Sequence, residues 1–527
     1  MSEEAIQTVA GATVPRVRLE RLVPLIAGIA VVAVGVTIID GQPVGAARDD
    51  SMYVLLAKSL ATGHGYRWLH IPGMPLATHF PPGYPAVLSL LWLLFPVFPA
   101  NVILFKLANV VFSAVAAVCV ARFVRSRCGM TELGAQAFAL VAMLAAPMLA
   151  LTTQVLSEPL FLALVVVTVL LAERVLDGPP GRWRSLIAVG AFAGVATLVR
   201  THGVALLVAI PVVLCLRGRF RDALIFAGVA IATVLPWQVF VAAHSGVFPV
   251  PMRGNYESYG ALLVDALRAN GVSLFGAAAL RTMQGLAFLF GYTVSPFMGT
   301  AGRAVAATLF AALCAIGASA LRRQAPATTL FLALYFLIVL FWPYTPARFV
   351  WCLAPFLLLL PVAGVRELIA WSPRSQWQSF ARVLSLATVA FLACGYAVFT
   401  VSAYRVHSWS TAAYAGYLRP LLVHVALHTP PNALLASEAE GTVYLYTGRR
   451  TVPVGSFMAT DYLTPRTPAE NANALATVIE RYHPKAVVVK TSFLRAAARE
   501  LTLRQPPLLA VADTIAGGGL VLVPTPR

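Results

Sequence analysis

The stretch "GAARDDSMYVLLAKSL", residues 45–60, decides how the chain is read. Tyr53, Leu56, Ala57 and Leu60 recur at i, i+3, i+4 and i+7, and Gly63 follows as a stop, so an interfacial helix is expected to begin at Asp49 and Asp50. The acidic pair comes just after an apolar run at about 22–40, in a chain of 527 residues that is 59% hydrophobic and only 11% charged. That composition excludes a water-soluble globular protein and predicts a polytopic α-helical membrane protein. The pair therefore stands at a membrane boundary.

The formal charge of +18 does not point to nucleic acid, because the arginines sit in short clusters between apolar runs and not on one basic face or tail. They read as topology signals. Runs able to span occur near 22–40, 101–121, 133–152, 156–175, 185–200, 203–217, 223–243, 302–321, 326–342, 347–364 and 383–402, with two ambiguous runs at 84–98 and 281–299. The basic clusters are Arg16/Arg18/Arg21, Arg122/Arg125/Arg127, Arg174/Arg182/Arg184, Arg217/Arg219/Arg221, Arg322/Arg323 and Arg366/Arg374/Arg382. All six fall on the cytoplasmic side only if neither ambiguous run crosses, which makes both re-entrant or interfacial and gives about 11 spans, against 13 if both cross.

This topology divides the chain into a cytoplasmic N-terminus (1–21), a transmembrane domain (22–403) with a first outer loop at 41–84, and an outer domain (404–527). The run at 22–40 is longer than the apolar part of a cleavable signal and is expected to stay as an anchor. In the tail, "ALLAS" (433–437), "AVVVK" (486–490) and "GLVLVPT" (519–525) read as strands and "ENANALATVIERY" (470–482) as a helix, so a small α/β unit is expected. The six cysteines show no metal or redox spacing and read as small core residues. No internal repeat is visible, so a transporter built from duplicated halves gains no support.

Several ionisable residues from distant parts of the chain fall on the outer side in this topology. Asp49 or Asp50 can cap the helix that follows them, which accounts for one carboxylate; a second, held at a helix start at the membrane boundary, is placed to act as a general base. Glu158, in "LSEP", is either a cap or a second acid at an outer helix end, with Pro159 at the first helical position. Arg200 and His202 in "LVRTHG", Arg348 in "ARFVW" and Lys106 are either snorkelling anchors or partners for a lipid phosphate, whose oxygens suit a guanidinium fork. In "THFPPGYP" (78–85) three prolines stiffen the loop, and Phe80 and Tyr84 sit at interface depth. A divalent cation is a candidate cofactor if Asp49, Asp50 and Glu158 converge.

The order "DDSMYVLLAKSLATGHGY", "FPPGYP", "LSEP", "LVRTHG" and "ARFVWCLAP" resembles the bacterial glycosyltransferases of the GT-C fold, specifically the RgtA/B/C/D-like group, related to protein O-mannosyltransferases and lipid A aminoarabinose transferases. The resemblance covers most of residues 20–400, and "ASEAEGTVYLYTGRRTVPV" (436–454) is similar to the outer domain many such proteins carry. It implies transfer of a sugar from a polyprenyl-phosphate donor to a hydroxyl of a lipid, glycan or protein at the outer face of a bacterial plasma membrane. It also implies a base at Asp49, with Asp50 where Glu often stands. Some members place a basic residue directly before "PP"; here that position is Phe80, with His79 one step earlier.

On physical grounds Arg200 and Arg348, with Lys106, are expected to meet the leaving phosphate, and His79, Tyr84, Glu158 and His202 are expected among the substrate-binding residues. Three alternatives remain open. A flippase or transporter of lipid-linked glycans would need polar residues deep in several spans, whereas the ionisable groups here collect at span ends. An oligosaccharyltransferase would be expected to show a WWDYG-like motif, and the tail has none. A non-catalytic protein of the same fold is the third, because a fold does not fix an activity.

Overall fold

The computed structural model describes residues 23–246, 248, 250–342, 344–371, 376–454, 461, 466–515 and 518–525; Arg16, Arg18, Arg21 and Arg374 lie outside the described residues. It is mostly helical. The apolar runs become α1 (Ile26–Ile38), α2 (Asp49–Ala61), α3 (Gly83–Leu94), α4 (Val102–Cys128), α5 (Glu132–Met143), α6 (Ala146–Thr153), α7 (Glu158–Asp177), α8 (Trp183–Val199), α9 (Val204–Leu216) and α10 (Phe220–His244). Then come α11 (Val250–Tyr256), α12 (Tyr259–Asn270), α13 (Ser273–Val294), α14 (Thr300–Gln324), α15 (Pro326–Phe341), α16 (Ala347–Trp351), α17 (Ala354–Trp371) and α18 (Gln376–His428).

Among the described residues, six helices are long and apolar enough to cross a membrane, or seven if α5 and α6, bent by 65°, form one broken span. The run at 133–152 is thus interrupted, with Pro147 in the first turn of α6. The run at 84–98 yields only the 12-residue α3, while 281–299 belongs to the 22-residue α13 and is not a short interfacial piece. Its extra length comes from "SLFGAAAL", an apolar stretch that Arg281 separates from the run seen in the sequence. At that length and apolarity α13 is itself one of the six candidate spans, so the expectation that this run does not cross is not upheld. It follows a segment in which Tyr256 meets His70, and it precedes α14, which rises about 37 Å before reaching the opposite end.

The arginine clusters gather at that opposite end. Arg127 pairs with Asp177 at 2.6 Å, Arg323 with Glu367 and Arg125 with Glu132; Arg366 donates to the Cys128 carbonyl, and Arg219 to the Val175 carbonyl at 2.7 Å. These contacts tie together the ends of α4, α7, α14 and α17. Small residues bring spans close: a Cβ on Gly317 would lie 1.8 Å from the Leu360 carbonyl and one on Gly364 2.1 Å from the Leu313 carbonyl, so α14 and α17 touch backbone to backbone.

At the other end lies a five-stranded sheet, β1 (Leu435–Ser437), β2 (Thr451–Pro453), β3 (Ala486–Val489), β4 (Leu509–Ile515) and β5 (Gly519–Pro524), in the order β2-β1-β3-β5-β4. β1 pairs in parallel with β2 and β3, and β5 runs antiparallel to β3 and β4. Helices α19 (Glu440–Thr447), α20 (Pro468–Tyr482) and α21 (Ser492–Leu503) accompany it; Thr467 and Glu470 close a capping box on α20. The expected boundary at 403/404 falls inside α18, which runs unbroken from 376 to 428, because no Gly or Pro stands near 404 to end the helix.

Helix α2 starts at Asp49, yet it is not an amphipathic helix with a wet face. Residues 50–57 are all buried, since α3 packs on one side and α19 on the other. Gly45 makes that second contact possible: its φ of +116° suits glycine alone, and a Cβ there would lie 2.2 Å from Thr442 Oγ1.

Candidate active site

Two consecutive carboxylates on a helix point about 100° apart, and here they part company. Asp50 turns inward, where Oδ2 accepts from the Gly45 N–H at 2.7 Å and Oδ1 from the Ser51 N–H at 2.9 Å. Burial pushes its carboxyl above the usual range, while those two N–H groups pull the other way. Asp50 thus holds the turn into α2 and does not line the neighbouring cavity, contrary to the expectation of a catalytic pair. Asp49 faces that cavity, and Oδ2 accepts from Arg348 Nη1 at 2.8 Å.

Arg348 is shared. Its Nη2 and Nε meet Glu158 Oε1 at 2.8 and 3.1 Å, and Arg200 Nη1 reaches the same oxygen at 3.0 Å. Glu158 opens α7 and is wholly buried, whereas the Arg348 and Asp49 side chains keep 37% and 32% of their surface exposed. A buried carboxylate needs such partners, because an unpaired ion away from water costs several kcal/mol. Behind them Ser157 Oγ takes a bond from Arg200 Nη1 at 3.1 Å and lies 3.1 Å from the Tyr53 hydroxyl. Glu158 Oε2 and Arg200 Nε have no partner among the described residues.

The cavity has a volume of about 310 Å³, within the range of small-molecule sites. Arg48, Arg200 and Arg348 supply its positive charge, and Tyr53, Phe80, Tyr259, Trp342, Tyr344 and Phe349 its aromatic wall. The Arg200 guanidinium lies 5.4 Å from the centre of the Phe349 ring, which also stacks on His202 at 4.8 Å.

The remaining expected residues divide. His202 and His79 line the cavity. The Nδ1 of His79 lies 2.6 Å from the Glu257 carbonyl and must donate to it; burial lowers the ring's pKa, so it is neutral near pH 7 and its other nitrogen is an acceptor. Tyr84 lies behind the wall, its hydroxyl donating to Asn109 Oδ1 at 3.1 Å and its ring packed edge-on against Tyr53 at 5.1 Å. Lys106 is absent from the site. Its ammonium donates to Asp40 Oδ1 at 2.7 Å, to the Asp40 carbonyl at 2.9 Å and to the Gln42 carbonyl at 3.3 Å.

The three carboxylates do not converge as a metal site. Asp49 and Glu158 both bind Arg348, Asp50 serves backbone N–H groups, and no group of three His, Cys, Asp or Glu side chains that could hold a metal is found among the described residues.

Arg48 is the residue that sequence reasoning missed. It precedes Asp49 with φ at 63°, a region non-glycine residues rarely occupy, and its Nη2 pairs with Glu440 Oε1 at 2.9 Å. The Tyr256 hydroxyl donates to the same oxygen at 2.7 Å and lies 2.8 Å from His70 Nε2. Burial, aided by Arg48, pushes His70 down to about 3, so its ring is neutral. This chain ties the loop before α2 to α19 beside the sheet.

Against solved structures, the chain matches ArnT from Cupriavidus metallidurans bound to undecaprenyl phosphate, with a TM-score of 0.51 and 15% identity over 96% of this chain and 99% of that one. It also matches the archaeal oligosaccharyltransferase AglB from Archaeoglobus fulgidus, in complex with an inhibitory peptide and a dolichol-phosphate, with a TM-score of 0.52 and 13% identity over 91% of this chain and 71% of that one. Both are GT-C glycosyltransferases. The chain has the GT-C fold. No family model and no curated protein matches it, so the comparisons carry the GT-C architecture and its multi-pass membrane character alone.

Proposed function

We propose that this GT-C protein is a glycosyltransferase of the RgtA/B/C/D-like kind, moving a sugar from a polyprenyl-phosphate donor to a hydroxyl acceptor at the outer face of a bacterial plasma membrane. One observation carries the reading: a single guanidinium, Arg348, joins Asp49 to the buried Glu158–Arg200 pair at the wall of an aromatic cavity. Arg200 and Arg348 meet the donor phosphate and stabilise the charge that grows on it as the glycosidic bond breaks; such donors are typically worth about 3–4 kcal/mol. The incoming phosphate competes for Arg348 Nη1, which frees an Asp49 oxygen for the acceptor's proton. As its proton passes to Asp49 the acceptor oxygen attacks the anomeric carbon in line, with inversion, and the phosphate leaves without needing an acid. Glu158 stays behind the arginines and keeps both forks aimed. The clustered arginines at the opposite end of the bundle support a cytoplasmic placement for that end.

The test compares membranes containing wild type and Asp49→Asn for transfer from a radiolabelled polyprenyl-phosphate sugar. The variant is expected to lose transfer by about 10²–10⁴-fold and to keep donor binding. Unchanged turnover would remove Asp49 as the base.

A further inference from the structure

A groove of about 620 Å³ lies between the end of α1, the start of α4 and the part of α18 that runs past them toward the sheet. It shares no lining residue with the candidate active site. Because α4 is one of the candidate spans and begins at Val102, the groove opens where that span leaves the membrane.

Its lining joins two chemistries. Ile103 and Val423 are exposed there, and from Ile103 the exposed face of α4 continues through Val111 and Val115 down the span. At the polar end Arg419 is exposed, and its Nη2 donates to the Gly41 carbonyl at 3.2 Å; the rest of the fork has no partner among the described residues. Gln42 Oε1 is buried without a partner among the described residues, and such an atom calls for a donor. Asp40 places Oδ1 on Lys106 at 2.7 Å, while Oδ2 meets no described residue. Since Lys106 balances Asp40, Arg419 is the uncompensated charge of the groove.

We infer that this groove binds one phosphatidylethanolamine of the surrounding bilayer by its head group. Arg419 takes the phosphate, whose oxygens suit a guanidinium fork, and the primary ammonium offers its three N–H donors to Gln42 Oε1 and Asp40 Oδ2. Arg419 bonds to Gly41, which stands between Asp40 and Gln42, so the donor and the two acceptors lie as near one another as a phosphate and an ammonium joined by two carbons. The acyl chains follow Ile103, Val423 and the exposed face of α4. A choline head group has no N–H for Gln42, and a glycerol head group brings no cation to Asp40. A soluble phosphate would leave Ile103 and Val423 uncovered. Tyr446 of α19 also lines the groove and accepts from the Val44 N–H at 3.1 Å, so the lipid touches α1, α4, α18 and the helix beside the sheet. It fastens the sheet-bearing unit to the spans, whatever reaction the other cavity performs.

Native mass spectrometry of the full-length protein, delipidated in detergent and titrated with dioleoyl phosphatidylethanolamine, phosphatidylglycerol or phosphatidylcholine, tests the inference. Phosphatidylethanolamine is expected to give one adduct held about 5-fold or more tighter than either of the others. Arg419→Ala and Gln42→Leu should each weaken that adduct by about 5-fold, and thermal melts should show phosphatidylethanolamine raising the Tm of wild type more than that of either variant. Arg419 is exposed and Gln42 sits in a loop, so both variants are expected to fold. Equal retention of the three lipids, a preference for phosphatidylglycerol, or a phosphatidylethanolamine adduct indifferent to both substitutions would overturn the inference. So would glycerophosphoethanolamine, the head group without its chains, binding as tightly as the whole lipid, because the ligand would then be a soluble phosphate and not the bilayer.

Discussion

Two sets of charged side chains lie at the sheet-bearing end of the helices, and they differ in what they leave unused. Lys106 spends its ammonium on two oxygens of Asp40 and the Gln42 carbonyl, and so fastens the end of α1 to α4. The set around Glu158 is held as tightly, yet Glu158 Oε2 and Arg200 Nε remain unpartnered among the described residues and Arg348 stays partly open to a cavity. Lys106 and Glu158 both stand within about the first turn or two of a helix, so that position does not mark a site. What sets the Glu158 cluster apart is that its two arginines line a cavity together with Asp49 and an aromatic wall.

The contrast can be broken most severely at Glu158. Glu158→Gln leaves Arg200 without a carboxylate partner and Arg348 with Asp49 alone, and the cost of an uncompensated buried charge is about 3–5 kcal/mol; thermal melts in detergent should show a large fall in Tm. Arg348→Lys and Arg200→Lys come next. A lysine cannot span two carboxylate partners or present a fork to phosphate, so single-turnover transfer should slow by roughly 10²–10³-fold with a smaller change in stability.

Lys106→Met sharpens the comparison from the other side. It should leave transfer within about 3-fold of wild type, and the stability loss should be about 1 kcal/mol because Asp40 is 44% exposed and regains water. A large loss of transfer in Lys106→Met would dissolve the distinction between the two sets.

The smallest effect is expected at Asp50. A carboxyl whose folded pKa is raised stabilises the fold most while protonated, so wild type should lose that stability as pH rises from below about 4, its unfolded value, through the raised folded value. In Asp50→Asn this component disappears, and Tm measured across that window should change less with pH than in wild type.

How far these features were legible in the sequence depends on the distance over which each is decided. Asp49, Glu158, Arg200 and Arg348 could be placed together because each stands at a helix end, and the arginine clusters fix which ends share a side. The resemblance put the base at Asp49, but the residues alone could not tell Asp49 and Asp50 apart, since the choice turns on the 100° between them and on Gly45, whose positive φ brings its N–H to Asp50. Lys106 was misplaced for a similar reason: its depth was visible, but its pairing with Asp40 needs the return of the chain from α1 to α4. Arg48 sits in the opening stretch, yet its partner Glu440 is 392 residues on, and only the acidic "ASEAEG" hinted at it. In the tail, β1, β3 and β5 follow visible β-branched or leucine-rich runs, while β2 is three residues and β4, whose middle is mostly exposed, carries too little apolar pattern to stand out.

The most direct measurement of the central claim is a cryo-EM structure of the full chain in nanodiscs with undecaprenyl phosphate bound. The phosphate should lie within hydrogen-bonding distance of Arg348 and Arg200, with the 2.8 Å contact between Arg348 and Asp49 opened and Glu158 unmoved. Phosphate density away from both arginines, or an Asp49–Arg348 pair still closed with the lipid in place, would contradict the account.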